Sequence, residues 1–111
     1  MWYSACLLFE SVHSVKSDSE PLWEERIILI KASSETEAMG IAQKIGKDEE
    51  IEYPVNPTMN NGEQDKVKCI FRRIERVCEI DNDTLANGTE IFSRILRDSE
   101  VKSILTPFLN K

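Results

Sequence analysis

The chain has few of the residues that carry catalytic or metal chemistry: one histidine, three cysteines and four glycines in 111 residues. A single imidazole cannot make a paired-histidine metal site, and neither a glycine-rich phosphate loop nor a G-x-S-x-G elbow occurs. Cys6, Cys69 and Cys78 are odd in number, widely spaced and set in apolar strand patterns. That excludes a simple disulfide framework and the close cysteine pairs of a structural zinc site, so reduced, buried thiols are expected, with no metal and no cofactor. No apolar run nears the ~20 residues of a membrane-spanning helix. With no basic and then apolar leader at its start, the chain is expected to stay in the cytoplasm. Positive charge is also in deficit, 14 Lys and Arg against 20 Asp and Glu, for a net charge of −6. This balance argues against nucleic acid and membrane surfaces and suits solubility or a basic protein partner. Arg72, Arg73 and Arg76 form a local basic stripe, but no aromatic residues interleave with it to stack bases.

What is present reads as one globular α+β domain spanning residues 1–111, because 41% hydrophobic and 31% charged residues are too apolar for a disordered chain. Trp2 to Val12 alternates Tyr3, Ala5, Leu7 and Phe9 with Trp2, Cys6, Leu8 and Val12, so both faces of this first strand are apolar. Ser14 to Pro21 is a run of turn formers and reads as an exposed hairpin connection. Trp23 to Ala32 carries Ile27 and Leu29 against Ile28 and Ile30, the doubly apolar pattern of a strand in the middle of a sheet. Ser34-Glu35-Thr36-Glu37 fits a capping box, with the Ser34 hydroxyl on the Glu37 amide and the Glu37 carboxylate reaching back to the cap. Ala38, Ile41, Ala42 and Ile45 then define a small, flat buried face, with Gly40 aiding close approach and Gly46 stopping the helix. Lys47 to Glu50 reads as a solvated charged run.

Ile51 to Val55 predicts a short edge strand limited by Pro54 and Pro57, Asn56 to Lys66 a loop with a tight turn at Asn61-Gly62, and Val67 to Ile80 a long strand. A change of apolar register within that strand predicts a β-bulge near Arg72-Arg73. Asn87-Gly88 supplies a second turn, leading to a further strand over Glu90 to Leu96. Asp98 is expected to cap a short last helix, Ser99 to Leu105, stopped by Pro107, with Phe108 and Leu109 as a hydrophobic tail. The sum is an antiparallel sheet of about five strands with one main helix packed on one face, the order being strand, strand, helix, three strands, helix. The second face needs a cover, either the C-terminal segment or a second subunit, and a homodimer packed sheet on sheet or edge to edge is expected.

W-Y-x-A-x-L-L-F-E at Trp2 to Glu10, W-E-E-R-I-I-L-I-K-A at Trp23 to Ala32 and G-T-E-I-F-S-R at Gly88 to Arg94 resemble a bacterial family of short stand-alone proteins. That family is described only as a domain of unknown function. The likeness spans almost the whole chain and implies no activity. Cys69 stands where the family tends to place an aromatic, which reads as a core substitution.

The polar residues that could form a site are Glu10, Glu24, Glu25 and Arg26, with Glu79, Glu90 and Arg94, on strands expected to be neighbours. Opposite residues on adjacent strands lie about 5 Å apart, so Arg26 could pair with Glu10 or Glu90. Trp2, Tyr3, Trp23 and Tyr53 could line a groove above them, whereas His13 reads as a solvated imidazole on an exposed hairpin. From these, Glu10, Trp23, Glu24, Arg26, Glu90 and Arg94 are the candidate partner-binding or ligand-binding residues, with no catalytic residue assigned. The favoured function is a non-enzymatic protein-interaction module, such as an immunity-type inhibitor binding a basic partner. Two other readings stay open: a small ligand-binding domain or enzyme using the Glu/Arg cluster, and a purely structural oligomerising subunit.

Overall fold

Backbone pairing from Met1 onward sets the architecture. The computed structural model describes residues 1–15, 20–54, 65–81 and 84–109. Its elements in chain order are β1 (Trp2–His13), β2 (Trp23–Lys31), α1 (Glu35–Asp48), β3 (Ile51–Pro54), β4 (Lys66–Ile80) and α2 (Asp98–Leu109). The strands form one antiparallel sheet of four, in the order β2-β1-β4-β3. The chain is thus α+β as its sequence predicts, with one strand fewer. The turn at Asn61-Gly62, most of the loop around it and Lys16 to Ser19 of the first connection lie outside the described residues.

β1 and not β2 occupies the middle of the sheet, flanked by β2 and β4. Tyr3, Ser4, Ala5, Cys6 and Leu7 are buried in succession, which a strand achieves only when both its faces are covered. β2 is an edge strand: Ile28 and Ile30 pack toward the core while Ile27 and Leu29 stay exposed. Its apolar character on both faces therefore marks an uncovered surface instead of a central position.

The first face carries the core, where Tyr3, Ala5, Leu7, Phe9, Ile30 and Phe71 meet α1 through Ala38 and Ala42. Ser34 caps this helix as expected, its hydroxyl accepting from the Glu37 amide at 3.1 Å. The reciprocal bond differs, because the Glu37 carboxylate accepts from the Ser33 hydroxyl at 2.6 Å. Small residues let the helix lie close to the sheet, and Gly46 is the tightest point: a Cβ there would sit 2.6 Å from the Phe71 ring. Gly46 is therefore a contact glycine and not a stop, and the helix runs on to Asp48. Gly40, by contrast, is exposed, and a methyl group placed on it would meet nothing within 4 Å. The charged run at the helix end is bonded, with Glu50 accepting from the Phe71 amide at 2.9 Å and Glu49 paired to Arg26.

β4 carries two irregularities against β1. Pairing passes from Arg73 to Phe71, leaving Arg72 as an extra residue where the bulge was expected, and again from Arg76 to Ile74, leaving Glu75 extra. Residues 89–97, beyond the Asn87-Gly88 turn where Gly88 takes φ +88°, form no strand. Thr89 closes that turn with its amide on the Ala86 carbonyl at 3.1 Å. α2 begins one residue before the expected start: the Arg97 amide donates to the Glu100 carboxylate at 3.0 Å, and Asp98 is the first helical residue. Its backbone continues through Pro107 to Leu109.

The two helical glycines yield opposite predictions. Gly40→Ala should raise unfolding free energy by up to about 1 kcal/mol through helix propensity. Gly46→Ala should lower it by about 1–3 kcal/mol by overpacking against Phe71. Urea denaturation of the two variants measures both signs.

Candidate functional site

The second face of the sheet brings polar chemistry together. Side chains directly paired across strands share a face, so Cys6, Ile27 and Arg76 project from it, as do Leu8, Glu25 and Arg73. The segment from Thr89 to Arg97 straps this face. Arg76 donates to the Ser93 carbonyl at 2.7 Å and lies 5.9 Å from the Phe92 ring centroid, over β4. Arg94 reaches Glu25 at 3.5 Å, over β2. Between these two anchors lies Cys6 on β1, which has no exposed surface. The expected strand over Glu90 to Leu96 is thus an irregular strap, because its backbone is held by side chains of the sheet and not by a neighbouring strand.

Beneath the strap, the Cys6 thiol donates to the Glu75 carboxylate at 3.4 Å. Sγ of Cys6 and carboxylate oxygens of Glu25 and Glu75 all lie within 4.8 Å of one another. One thiol and two carboxylates could together hold a divalent cation, provided that the thiol were deprotonated. Burial, the Glu75 hydrogen bond and the nearby Glu25 charge push that thiol up to about 12, so the group is a neutral donor at physiological pH. Nucleophilic chemistry needs the thiolate, and this setting opposes it. Sequence reading missed the cluster because Glu75 reaches Cys6 only through the second bulge of β4. A buried strand cysteine between two carboxylate-bearing strands is the signal that could have found it.

The residues picked from sequence are divided by the sheet. Arg26 lies on the α1 face, 4.2 Å above the Phe9 ring centroid. It bonds Glu24 at 2.8 Å and Glu49 at 3.1 Å, in place of Glu10 or Glu90. Its hydrogen bond to Glu24 raises its already high pKa further, against the opposing effect of burial. The arrangement clamps β2 to the end of α1 over an aromatic ring. Glu10 and Trp23 pair directly across β1 and β2 on the other face, and Glu10 accepts from Arg72 at 2.8 Å. Glu90, itself in the strap, lines a depression between the strap and the end of β4 with Cys78, Glu79 and Asp81. Of the proposed aromatic groove, Tyr3 is buried in the core while Trp23 and Tyr53 are exposed on the two outer strands, so no common wall forms.

His13 is paired, not simply solvated. Its Nδ1 lies 2.6 Å from the Asp65 carboxylate, which also accepts from the Val15 amide at 3.2 Å and the Ser14 hydroxyl at 3.3 Å. The hydrogen bond from His13 is the main cause that holds Asp65 below the usual carboxylate range. This knot ties the end of β1 to the start of β4.

The fold and its surface define the class: an α+β sheet protein with one face under a helix, the other under a side-chain-anchored strap, and an exposed apolar edge strand. The chain belongs to the family described as a domain of unknown function, DUF4288, whose model matches residues 2–93. No curated protein and no solved structure matches it. The family match takes in every strand and most of the strap, and ends before α2 begins at Asp98.

The raised thiol pKa sets an alkaline limit on stability. Below the ordinary thiol value of 9.0, Cys6 is protonated whether the chain is folded or not; above it, the unfolded chain gains stability by ionising a thiol that the fold keeps neutral up to about 12. Stability should therefore fall as pH rises through this window, and Cys6→Ala should flatten the fall. Thermal unfolding of both proteins between pH 8 and 11 measures the difference.

Proposed function

We propose that this chain is a non-enzymatic protein-interaction module that binds a basic protein partner at the start of β2. The carrying observation is the exposure of Leu22 and Trp23, 72% and 54% open to water, at the free edge of the sheet. Glu24 and Glu25 follow them directly. An aromatic and an aliphatic side chain inside an acidic rim match the composition of an interface centre, where burial supplies affinity and the rim supplies complementarity. The net charge of −6 adds long-range attraction toward a basic surface, which speeds encounter more than it strengthens the complex.

An immunity-type inhibitor of a basic toxin, acting in a bacterial cytoplasm, is the particular role that this combination suits. Among the described residues, no helix is long and apolar enough to cross a membrane, which agrees with that setting. The rival reading, a ligand site or enzyme built on the Glu/Arg cluster, has less support. Glu10 and the Glu24–Arg26 pair lie on opposite faces, and Glu10, Glu24 and Glu25 are each matched to an arginine.

The test is capture from host lysate on immobilised wild-type protein and on a Leu22→Ser, Trp23→Ser variant. The reading predicts a stoichiometric basic protein held by wild type, released by raising salt from 0.1 to about 0.5 M, and retained at least tenfold less by the variant. Equal retention by both proteins, or no specific species on either, contradicts it.

A further inference from the structure

The strap leaves part of the second face uncovered. Ile27 and Leu29 of β2 remain exposed there, and Ile95 of the strap, one residue past the Arg94 that pairs with Glu25 of β2, is fully open to water. Trp2 and Lys31 close the strip at its far end, with the Lys31 ammonium 5.8 Å from the Trp2 ring centroid. α2, which follows directly, packs against no other described element. Its residues Val101, Ile104 and Leu105 recur at i, i+3 and i+4 and are all exposed, which is the spacing of a buried helix face. Asp98 and Lys102 form an ion pair at 3.0 Å along the flank of this apolar face.

Two facts make this pair of bare surfaces more than scattered apolar residues. A helix of 12 residues is marginal in water unless an apolar face is packed. The chain also has a radius of gyration of 17.8 Å, against about 13 Å for a self-contained fold of its length. α2 touches none of the strands and so keeps its apolar residues off the apolar strip they would fit. Charges agree with the fit: Lys31 ends the strip, while Asp98 and Glu100 lie in the first turn of α2.

We propose that α2 docks on the Ile27–Leu29 strip of a second copy of this chain, each copy lending its helix to the other in a two-fold dimer. A reciprocal exchange makes every contact twice and leaves neither surface bare, as an isologous interface does. The inference goes beyond the partner-binding reading and is separable from it, since Leu22 and Trp23 lie at the opposite end of β2 from Leu29.

The test uses full-length chains: wild type, Leu29→Glu and Ile104→Glu. Both positions are exposed in the single chain, 43% and 47%, so neither charge disturbs the monomer's core. Light scattering should give wild type twice the chain mass of 12.8 kDa and each variant the single mass at equal concentration. Tagged Leu29→Glu, with an intact helix, should then capture untagged Ile104→Glu, with an intact strip, at least tenfold better than it captures untagged Leu29→Glu. Val101→Glu and Ile27→Lys, each checked for a wild-type urea midpoint, repeat the two arms if either first variant misfolds. A wild-type mass of 12.8 kDa at 100 µM overturns the proposal and points to α2 folding back on its own sheet or staying free. Variants that remain dimeric, or a pair that captures no better than the control, also overturn it. A Leu22→Ser, Trp23→Ser chain should keep the wild-type mass, so loss of the basic partner and loss of the dimer are read separately.

Discussion

Everything in this protein hangs on β1 being paired along both edges and covered on both faces. One set of its side chains, Tyr3, Ala5, Leu7 and Phe9, forms the floor of the helix-covered core. The alternate set, Ser4 and Cys6, is just as buried under the strap. Burying a strand twice removes apolar area from water at roughly 25 cal/mol per Å² on each side, and it requires two covers where, among the described residues, one helix packs on the sheet. α1 supplies the first through a face of alanine and glycine that permits close approach, and the strap supplies the second.

The two covers differ in kind. α1 satisfies its own backbone and contributes side-chain packing, with Gly46 against Phe71 setting the separation. The strap has no ladder of its own and depends on Arg76 and Arg94 to fix it at Ser93 and Arg94, near its middle. Surface ion pairs such as the one between Arg94 and Glu25 are worth at most about 1 kcal/mol, so the strap is the weaker layer. It also stops short of Ile27 and Leu29, and the open strip beside it is where we place the chain's self-association. Ser4 shows the tension of this arrangement: its hydroxyl is fully buried with no partner among the described residues, a cost that an apolar cover alone does not relieve.

Much of the fold was legible because local rules and packing agree. The Ser34 cap, the Ala38, Ile41, Ala42, Ile45 face and the alternation in β1 all follow from spacing alone, and the register change near Arg72 disclosed one bulge. The need for a second cover was also legible. Its form was not, because a strap held by arginine side chains has the same apolar and polar pattern as a strand. β2 was misplaced for a related reason: Ile27 and Leu29 look alike in sequence whether a neighbour covers them or not. The Cys6–Glu25–Glu75 cluster depends on Glu75 being an extra residue in β4, and Gly46 on the position of Phe71, 25 residues away in sequence. Both are tertiary coincidences that no local pattern encodes. Of the candidate site, the residue types were found but not their partition, since which strands are neighbours decides which charges meet.

The central claim is that the uncovered strip and the unpacked helix are two halves of one interface. Amide hydrogen exchange followed as a function of protein concentration tests it most directly, because a short helix without packing opens readily while a docked one does not. We expect amides of α2 and of β2 from Ile27 to Leu29 to gain protection together as concentration rises, while those of α1 stay constant. Protection of α2 that is low, or high, at every concentration would contradict it.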